Sequence, residues 1–333
     1  MADPTAPRLL NFIPDREKMR LLVTGGAGFI GSNFIHMLMN RSELTEILNI
    51  DALSYASDLS HLKYDSFRRY TFEKVDLCNR SLVNKTVYDF QPTHVVHFAA
   101  ESHVDRSLDD AVPFIQSNIE GTYNLIDACR KSVPYLERFI HISTDEVFGS
   151  IDVDSTDEHA PYAPRNPYAA SKAGAEHIVS SFVDSFEFPA VITRCTNNYG
   201  PYQHHEKFVP KSIDNLMHGR DITVHGNGSH VREWIHVNDH CHAIYCILQA
   251  KDIRRFYNVT GGTQATNLEI ATMLCELFGV DAKTNIVHVA NRIGNDQRYS
   301  LASKYIHETG YKAQIDLAQG LKQTMHYYRN IRT

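Results

Sequence analysis

A tyrosine and a lysine four residues apart form the first pair in this chain that could move a proton. Tyr168 and Lys172 occur in the run Tyr-Ala-Ala-Ser-Lys within a stretch of helical periodicity, and residues i and i+4 share one face of a helix. A lysine ammonium beside a phenol lowers its pKa from about 10, so we expect the phenolate of Tyr168 to be accessible. Tyr70 and Lys74 have the same spacing, but their alternating pattern predicts a strand, which would hold them about 13 Å apart.

Two adjacent carboxylates follow a hydroxyl at the end of a predicted strand. The run His-Ile-Ser-Thr-Asp-Glu ends in Thr144, Asp145 and Glu146. In doubly wound sheets, ligands bind beyond the carboxyl ends of the strands. Neighbouring carboxylates can divide acid and base roles when their surroundings separate their pKa values. The same pattern would also suit a polar strand end or an N-cap, so these residues alone leave both interpretations open.

A glycine-rich turn near the start of the chain predicts a dinucleotide site. Gly26, Gly28 and Gly31 fit the spacing G-x-G-x-x-G directly after an apolar run. Without side chains, the backbone can turn tightly, approach a pyrophosphate and lead into a helix whose N-terminus favours anions. Asp51 ends the next predicted strand, where a carboxylate would bind ribose hydroxyls and repel a 2′-phosphate. The predicted cofactor is therefore NAD rather than NADP.

Alternating β-like runs and amphipathic stretches surround these residues in the first half of the chain. Short apolar runs predict strands at 20–24, 47–51, 70–76, 94–99, 139–143 and 190–194. Helical periodicity predicts helices from the glycine turn to about residue 40 and at 81–90, 113–131 and 167–186. Such alternation predicts right-handed βαβ units, and hence an α/β fold with a Rossmann-type doubly wound parallel sheet.

Three parts are expected along the chain. Residues 1–18 carry prolines and charges and are expected to form a flexible N-terminal extension. Residues 19–195 are expected to form the NAD-binding Rossmann domain, with returning segments around 230–260. Residues 196–229 and 261–330 are expected to form a smaller α/β substrate domain, because glycines interrupt the pattern there. Later helices are predicted at 239–250, 267–278 and 317–328.

The composition argues against several classes of protein. The net charge is −6 with both signs interspersed, so nucleic-acid binding is not expected. No stretch has the apolar core of a signal peptide or a membrane span, so we expect no membrane partner. Six scattered cysteines without a C-x-x-C pair indicate reduced thiols and a cytoplasmic location. The histidine pairs lack three ligands at a recognised spacing, so no metal is expected.

Five motifs together resemble the extended short-chain dehydrogenases/reductases. They are Thr-Gly-Gly-Ala-Gly-Phe-Ile-Gly at 24–31, Ala-Ala-Glu-Ser-His-Val-Asp-Arg at 99–106, Ser-Thr-Asp-Glu-Val at 143–147, the Tyr168–Lys172 pair, and Asn-Asn-Tyr-Gly-Pro at 197–201. More narrowly, the Thr-Asp-Glu triplet resembles the nucleoside-diphosphate-glucose 4,6-dehydratases. The resemblance runs from about residue 19 to near the C-terminus.

The resemblance implies a lyase that uses NAD and regenerates it, so that the cofactor stays tightly bound. It implies oxidation of dTDP-glucose at C4, loss of water across C5 and C6, and hydride return to C6, giving dTDP-4-keto-6-deoxyglucose, a precursor of rhamnose or another deoxysugar. It implies that Tyr168, aided by Thr144 and Lys172, takes the C4 hydroxyl proton. Glu146 would remove the C5 proton, and Asp145 would protonate the departing C6 hydroxyl.

The resemblance also implies contact residues and an assembly. NAD is expected to contact Gly25, Gly28, Phe29, Ile30, Gly31, Asp51, Asp76, Leu77, Ala99, Ala100, Tyr168 and Lys172. The nucleotide sugar is expected to contact Ser102, Asn197, Lys207, Phe208, Thr223, His225, Arg232, Asn267, Arg292 and Asn295. A homodimer is expected through the predicted helices 113–131 and 167–186.

The chain departs from the bacterial dTDP-glucose pattern around the nucleotide pocket. Phe208, Thr223, His225 and Asn295 stand where leucine, proline, tyrosine and histidine are usual, and His225 resembles the UDP-glucose dehydratases. UDP-glucose is therefore an alternative substrate. Two alternative functions are a nucleotide-sugar 4-epimerase, which would leave the two carboxylates idle, and a non-catalytic NAD-binding sensor.

Overall fold

Helices and parallel strands make up most of the computed structural model, which describes residues 19–41, 45–64, 66–151, 155–291 and 296–331. The expected extension 1–18 and two predicted substrate contacts, Arg292 and Asn295, lie outside the described residues. The strands are β1 (Met19–Thr24), β2 (Thr45–Asp51), β3 (Tyr70–Lys74), β4 (His94–His97), β5 (Arg138–Thr144), β6 (Ala190–Cys195), β7 (Asn197–Tyr199), β8 (Ile222–His225), β9 (Val231–His236), β10 (Phe256–Val259), β11 (Thr263–Thr266) and β12 (Ile286–Val289).

The helices alternate with the strands in the first half and cluster toward the end of the chain. They are α1 (Phe29–Met39), α2 (Arg80–Phe90), α3 (Val104–Asp109), α4 (Val112–Phe114), α5 (Gly121–Ser132), α6 (Pro167–Phe186), α7 (Phe208–Met217), α8 (Val237–Gln249), α9 (Asn267–Phe278), α10 (Ala282–Asn285) and α11 (Leu317–Asn330).

The main sheet has the order β3-β2-β1-β4-β5-β6-β10, and all its neighbouring strands are parallel. The strand order reverses between β1 and β4, and such a switch point leaves a crevice at the carboxyl ends of the strands. Thr24 lies opposite both Ile50 and His97, and Thr144 lies opposite Cys195. The Rossmann-type fold predicted from the sequence is confirmed, and its loops after β1, β4 and β5 meet at one edge.

Apolar side chains on both faces of this sheet hold it between two helical layers. Leu21 and Val23 belong to a buried cluster with residues of α1 and α8, whereas Leu22 belongs to a cluster with residues of α2, α5 and α6. Successive strand residues point to opposite faces, which explains the alternation. Each fully buried leucine or valine contributes about 1.5–3 kcal/mol to folding, so the sheet is a rigid support for the loops at its edge.

Two smaller sheets lie opposite the carboxyl edge of the main sheet. Strand β9 pairs in parallel with β7 and antiparallel with β11, and β8 pairs in parallel with β12. Helices α7, α9 and α11 pack over these strands around Trp234, which is buried. Strand β10, by contrast, joins β6 in the main sheet. After β6 the chain therefore passes more than once between the main sheet and the smaller sheets.

The predicted elements agree with the structure where patterns are long and differ where they are short. Helices α6 and α9 have the predicted bounds, and Tyr70 and Lys74 lie on a strand as predicted. The helix predicted at 113–131 is confirmed as one helical stretch, but its middle part, Ile115–Glu120 between α4 and α5, winds as a wider π-helix. The structure also adds α3, α7 and several short strands in the second half of the chain.

Candidate active site

A cleft of about 630 Å³ opens between the carboxyl edge of the main sheet and the smaller sheets. The predicted cofactor contacts that line it are Gly25, Gly28, Phe29, Ile30, Gly31, Asp51, Asp76, Ala99, Ala100, Tyr168 and Lys172. The predicted catalytic trio Thr144, Asp145 and Glu146 lines it as well, together with Ser102, Asn197, Lys207, Phe208, His225, Arg232 and Asn267. Segments far apart in the chain therefore meet around one space.

Two predicted contacts, Leu77 and Thr223, do not line the cleft formed by the described residues. The Leu77 side chain is buried under α5, where a Cβ added at Gly121 would come 3.0 Å from the Leu77 Cβ. Thr223 lies on β8 two residues before His225, and alternation places both on the same face. Of the two, only His225 reaches the cleft, because it stands at the strand's carboxyl end.

The glycine turn after β1 is shaped by close backbone approach. Gly25 has a φ of 70°, and a Cβ there would lie 2.6 Å from the Ala99 backbone. A Cβ on Gly31 would lie 2.4 Å from the Gly25 carbonyl oxygen, so α1 starts directly against the turn. Gly28, the N-cap of α1, has no side chain to cap the first N–H groups of the helix, which lack intrahelical partners. This geometry suits a pyrophosphate.

Asp51 is held in place at the end of β2 by three hydrogen bonds. One carboxylate oxygen accepts from the Ala27 backbone N–H at 3.0 Å. The other accepts from the Leu53 N–H and the Ser57 hydroxyl, both at 2.8 Å. The side chain is 6% exposed and lines the cleft beside the glycine turn. The oxygen that accepts from Ala27 has a further lone pair, so the oriented group can still accept from a ribose hydroxyl.

The turn after β5 places the two carboxyl groups in different surroundings. The Thr144 hydroxyl donates to Asp145 Oδ1 at 3.2 Å and accepts from the Glu146 N–H at 3.3 Å. Burial, and then the neighbouring Glu146, raise the pKa of Asp145 to about 8. Burial also raises the pKa of Glu146, but the amide of Asn166 donates to Glu146 Oε2 at 3.1 Å and opposes this shift. Asp145 is therefore protonated at neutral pH.

Tyr168 and Lys172 are buried at the floor of the same cleft. Burial, followed by the Glu146 carboxylate, raises the pKa of the Tyr168 phenol well above its ordinary value. In the polypeptide by itself the Tyr168 pKa therefore lies above its ordinary value, and not below it as the spacing to Lys172 predicted. Burial lowers the pKa of Lys172 to about 8, and its ammonium donates to the Ile142 carbonyl at 2.7 Å. The phenol needs added positive charge nearby to ionise.

A buried ion pair fixes the helix that carries these two residues. Arg194 on β6 and Glu176 on α6 form a salt bridge of 2.7 Å, and both side chains are almost fully buried. Glu176 also accepts from the Ser143 hydroxyl at 2.6 Å and the Tyr162 hydroxyl at 2.9 Å. These bonds join α6 to β5 and β6 immediately below the catalytic turn. Removing one partner of such a pair typically costs about 3–5 kcal/mol.

Basic and aromatic side chains surround the far end of the cleft. Lys207, before α7, donates to the Ser102 carbonyl at 2.9 Å. The Arg232 guanidinium lies 4.6 Å from the centre of the Tyr299 ring. Arginine and lysine bind phosphate oxygens through charge-assisted hydrogen bonds. This end therefore suits an anionic group such as a pyrophosphate.

Two further residues that line the cleft, and one that supports it, were not identified from the sequence. Asn166 caps α6 and contacts Glu146; an asparagine before Pro167 at the helix start is a capping signal that could have indicated it. Asn118 on the π-helical turn exchanges two hydrogen bonds with the Glu101 backbone, at 2.8 and 3.0 Å. Tyr299 lines the cleft, and no local pattern marks it.

Two other features are absent from the described ranges. No cluster of three or more histidine, cysteine, aspartate or glutamate side chains there could hold a metal ion. No helix of the described chain has both the length and the apolar character needed to cross a membrane.

The fold and the site together define an extended short-chain dehydrogenase/reductase, because the doubly wound sheet, the glycine turn and the tyrosine–lysine pair meet at one cleft. The family model described as GDP-mannose 4,6 dehydratase matches residues 22–324, and the chain belongs to this family. The family resemblance drawn from the sequence motifs is thereby confirmed.

Several named enzymes are similar to this chain over more than nine-tenths of its length. The dTDP-glucose 4,6-dehydratase of Haemophilus influenzae is 40% identical over 331 residues, covering 93% of this chain and 98% of the relative. The crystal structure of DesIV, a dTDP-glucose 4,6-dehydratase from Streptomyces venezuelae with NAD and dTDP bound, matches with a TM-score of 0.89 at 40% identity, covering 94% of this chain and 98% of that chain. A UDP-glucose 4-epimerase of Thermus thermophilus in complex with NAD also matches, with a TM-score of 0.85 at 29% identity over 93% of this chain and 99% of that chain.

Proposed function

We propose that this chain is an NAD-dependent hydro-lyase that converts dTDP-glucose into dTDP-4-keto-6-deoxyglucose. The observation that carries the proposal is the pair of carboxyl groups after β5, which share one cleft with Tyr168 and differ in their surroundings. A 4-epimerase has no use for such a pair, since it makes no elimination. The two similar dTDP-glucose dehydratases support the same reaction.

The residues of the cleft fit NAD. The side-chain-free start of α1 leaves room and N–H groups for a pyrophosphate, and the oriented Asp51 suits ribose hydroxyls. Asp76 and Cys78 line the same end of the cleft. When bound, NAD would supply the oxidation at the sugar C4 and the return of those electrons at C6. Lys172 lies where it can contact the cofactor and hold the Tyr168 phenolate by its positive charge.

The chain's own residues account for the proton movements. Tyr168 takes the proton of the C4 hydroxyl, assisted by the Thr144 hydroxyl, which opposes the rise in the pKa of the phenol. A ketone at C4 acidifies the C5 hydrogen, and Glu146 takes that proton. Asp145, protonated at neutral pH, gives its proton to the departing C6 hydroxyl, and water leaves. Acid–base steps of this kind contribute about 10²–10⁴-fold each.

The far end of the cleft is assigned to the nucleotide. Lys207 and Arg232 would contact the diphosphate, and Asn197, Asn267 and His225 would contact the nucleoside. The His225 ring nitrogen Nδ1 lies 2.9 Å from the Ala290 carbonyl, which orients the ring at the border of the cleft. UDP-glucose stays a second candidate, because His225 is one of the positions at which this chain departs from the dTDP pattern.

We also propose a domain organisation, an oligomeric state and a location for the protein. We assign residues 19–195, with returning segments around 230–260, to the NAD-binding part and residues 196–229 and 261–330 to the nucleotide-sugar part. A homodimer would form through α6 and the segment 113–131, in which Ile115 is 53% exposed. The free cysteines support the expected reducing compartment, the cytoplasm.

A comparison of nucleotide sugars tests the function. The purified protein is incubated separately with dTDP-glucose and UDP-glucose, and the products are identified by NMR. We expect a 4-keto-6-deoxy sugar, which forms faster from dTDP-glucose. When the substrate carries deuterium at C4, we expect the label at C6 of the product. The Asp145→Asn variant serves as the control that binds substrate and eliminates poorly. Galactose as the only product would identify an epimerase instead, and the absence of any turnover would favour a sensor.

A further inference from the structure

Asn166 joins the two segments that carry the acid–base chemistry. Its side-chain oxygen accepts from the Ala169 N–H at 2.8 Å and so caps α6, the helix of Tyr168. Its amide nitrogen donates to Glu146 Oε2 at 3.1 Å. The side chain is 6% exposed and lines the cleft. One planar amide therefore connects the start of the tyrosine helix to the carboxylate after β5.

We propose that Asn166 is a positioning residue for proton removal, which orients the Glu146 carboxylate and keeps it ionised. The proposal rests on the proposed function, because it takes Glu146 as the base at C5. The terminal torsion of a glutamate is broad and nearly unrestrained, so a fixed donor on one oxygen determines where the other oxygen points. A donor to the charged form also favours ionisation.

The type of residue matters at this position. Asparagine, aspartate, serine and threonine all cap helices well. Of these, only asparagine can accept from the helix with one end of its side chain and donate to a carboxylate with the other. A serine hydroxyl is shorter and an ionised aspartate has no proton to donate. The contact with Glu146, and not the cap, is therefore what an asparagine adds.

Other charged and titratable groups face Glu146 from every neighbouring segment. They are Asp145 on the same turn, Tyr168 on α6, Lys207 before α7, Arg232 on β9, and Asp296 and Tyr299 from the later chain. Lys207 and Arg232 also lower the pKa of Glu146. We assign both cations to the substrate diphosphate, whose negative charge would weaken their effect on Glu146. We expect the neutral amide of Asn166 to keep its bond to Glu146 when substrate binds.

The experiment compares Asn166→Ser and Asn166→Asp with the wild type. Both variants keep a capping side chain, so their thermal unfolding midpoints should stay close to that of the wild type. The pKa of Glu146 is measured by NMR on protein labelled with ¹³C at the glutamate carboxyls, with Glu146→Gln identifying the signal. We expect this pKa to rise by about one to two units, since a hydrogen bond to a charged group is lost.

The kinetic readout separates positioning from a purely structural role. At neutral pH we expect kcat and the exchange of the C5 hydrogen with deuterated water to fall about 10- to 100-fold, with little change in KM. The acid limb of the kcat profile should move upward with the Glu146 pKa, so that Asn166→Ser recovers part of its rate at alkaline pH. Asn79→Asp is the matched control, because Asn79 caps α2 by accepting from the Leu82 N–H at 3.1 Å.

The outcomes distinguish this proposal from the proposed function. An unchanged Glu146 pKa in Asn166→Ser, or a rate loss that is the same at every pH and accompanied by a lower unfolding midpoint, would overturn the positioning role. If the wild type converts neither nucleotide sugar to a 4-keto product, the proposed function fails. The NMR titration would still decide whether Asn166 controls the ionisation of Glu146.

Discussion

Replacing Asp145 by asparagine should stabilise the fold, and the gain should grow as the pH rises. The Asp145 side chain is 3% exposed, and Oδ2 has no hydrogen-bond partner among the described residues. Burial and the nearby Glu146 raise its pKa from 3.8 to about 8. Between these values the unfolded chain has lost the proton and the folded chain has kept it. The unfolded state then binds fewer protons, so the free energy of unfolding falls as the pH rises.

The magnitude follows from the width of that pH range. One pKa unit corresponds to about 1.4 kcal/mol. The free energy of unfolding of the wild type therefore falls by about 4 kcal/mol between pH 5 and pH 8 because of this one group. Asparagine has nearly the same shape and carries no ionisation cost. Its side-chain oxygen can still accept from Thr144, which lies 3.2 Å from Asp145 Oδ1. The variant should therefore gain about 4 kcal/mol on the wild type over this range.

Urea unfolding measures the difference directly. Trp234 is the only tryptophan in the chain and is buried, so its fluorescence reports unfolding. Both proteins are measured at each pH from 5 to 8 at equal NAD content. Asp252→Asn, a change at an exposed carboxylate, is the control and should show no such trend. If the difference in the free energy of unfolding between the wild type and Asp145→Asn does not vary with pH, the buried, protonated state of Asp145 is refuted.

Three further predictions concern other parts of the site. Tyr168→Phe should lower kcat by about 10²–10⁴-fold with substrate affinity largely kept; a variant of near wild-type rate, measured by product formation, would exclude the phenol as the base. Gly31→Ala should lose bound NAD, measured by absorbance after purification, because the new Cβ would lie 2.4 Å from the Gly25 carbonyl oxygen. Arg194→Met should lower the free energy of unfolding in urea by about 3–5 kcal/mol, because it leaves Glu176 charged and buried. Adding Glu176→Gln should recover much of this loss. If the losses of the two single variants simply add in the double variant, the two residues do not act as a pair.

Long local patterns predicted the fold well, and short ones did not. Helix α6 extends over 20 residues with Asn166 as its cap, and its bounds follow from periodicity and the proline at its start. Strands such as β7, with three residues, and β8, with four, are too short for a period to be visible. Their pairing depends on segments far along the chain, such as β12 for β8, and no local pattern reports such a partner.

Within the site, residues in motifs could be predicted and residues brought in by packing could not. The glycines and the Tyr168–Lys172 pair have fixed spacings that the chemistry itself requires. Tyr299 has no motif; it lines the cleft because the later chain pairs beside β9, where Val231 bridges to Arg298. Asn118 lies on a π-helical turn that local periodicity interpreted as continuous helix.

The amino-acid sequence by itself determined which functional groups this protein carries and the order in which strand, turn and helix present them. Only the tertiary structure decided the protonation states: Asp145 keeps its proton to about pH 8, and Tyr168 is harder to ionise than its neighbour Lys172 suggested. The physical reason is that a pKa depends on lost water and on charges from distant segments, and both exist only once the chain has packed.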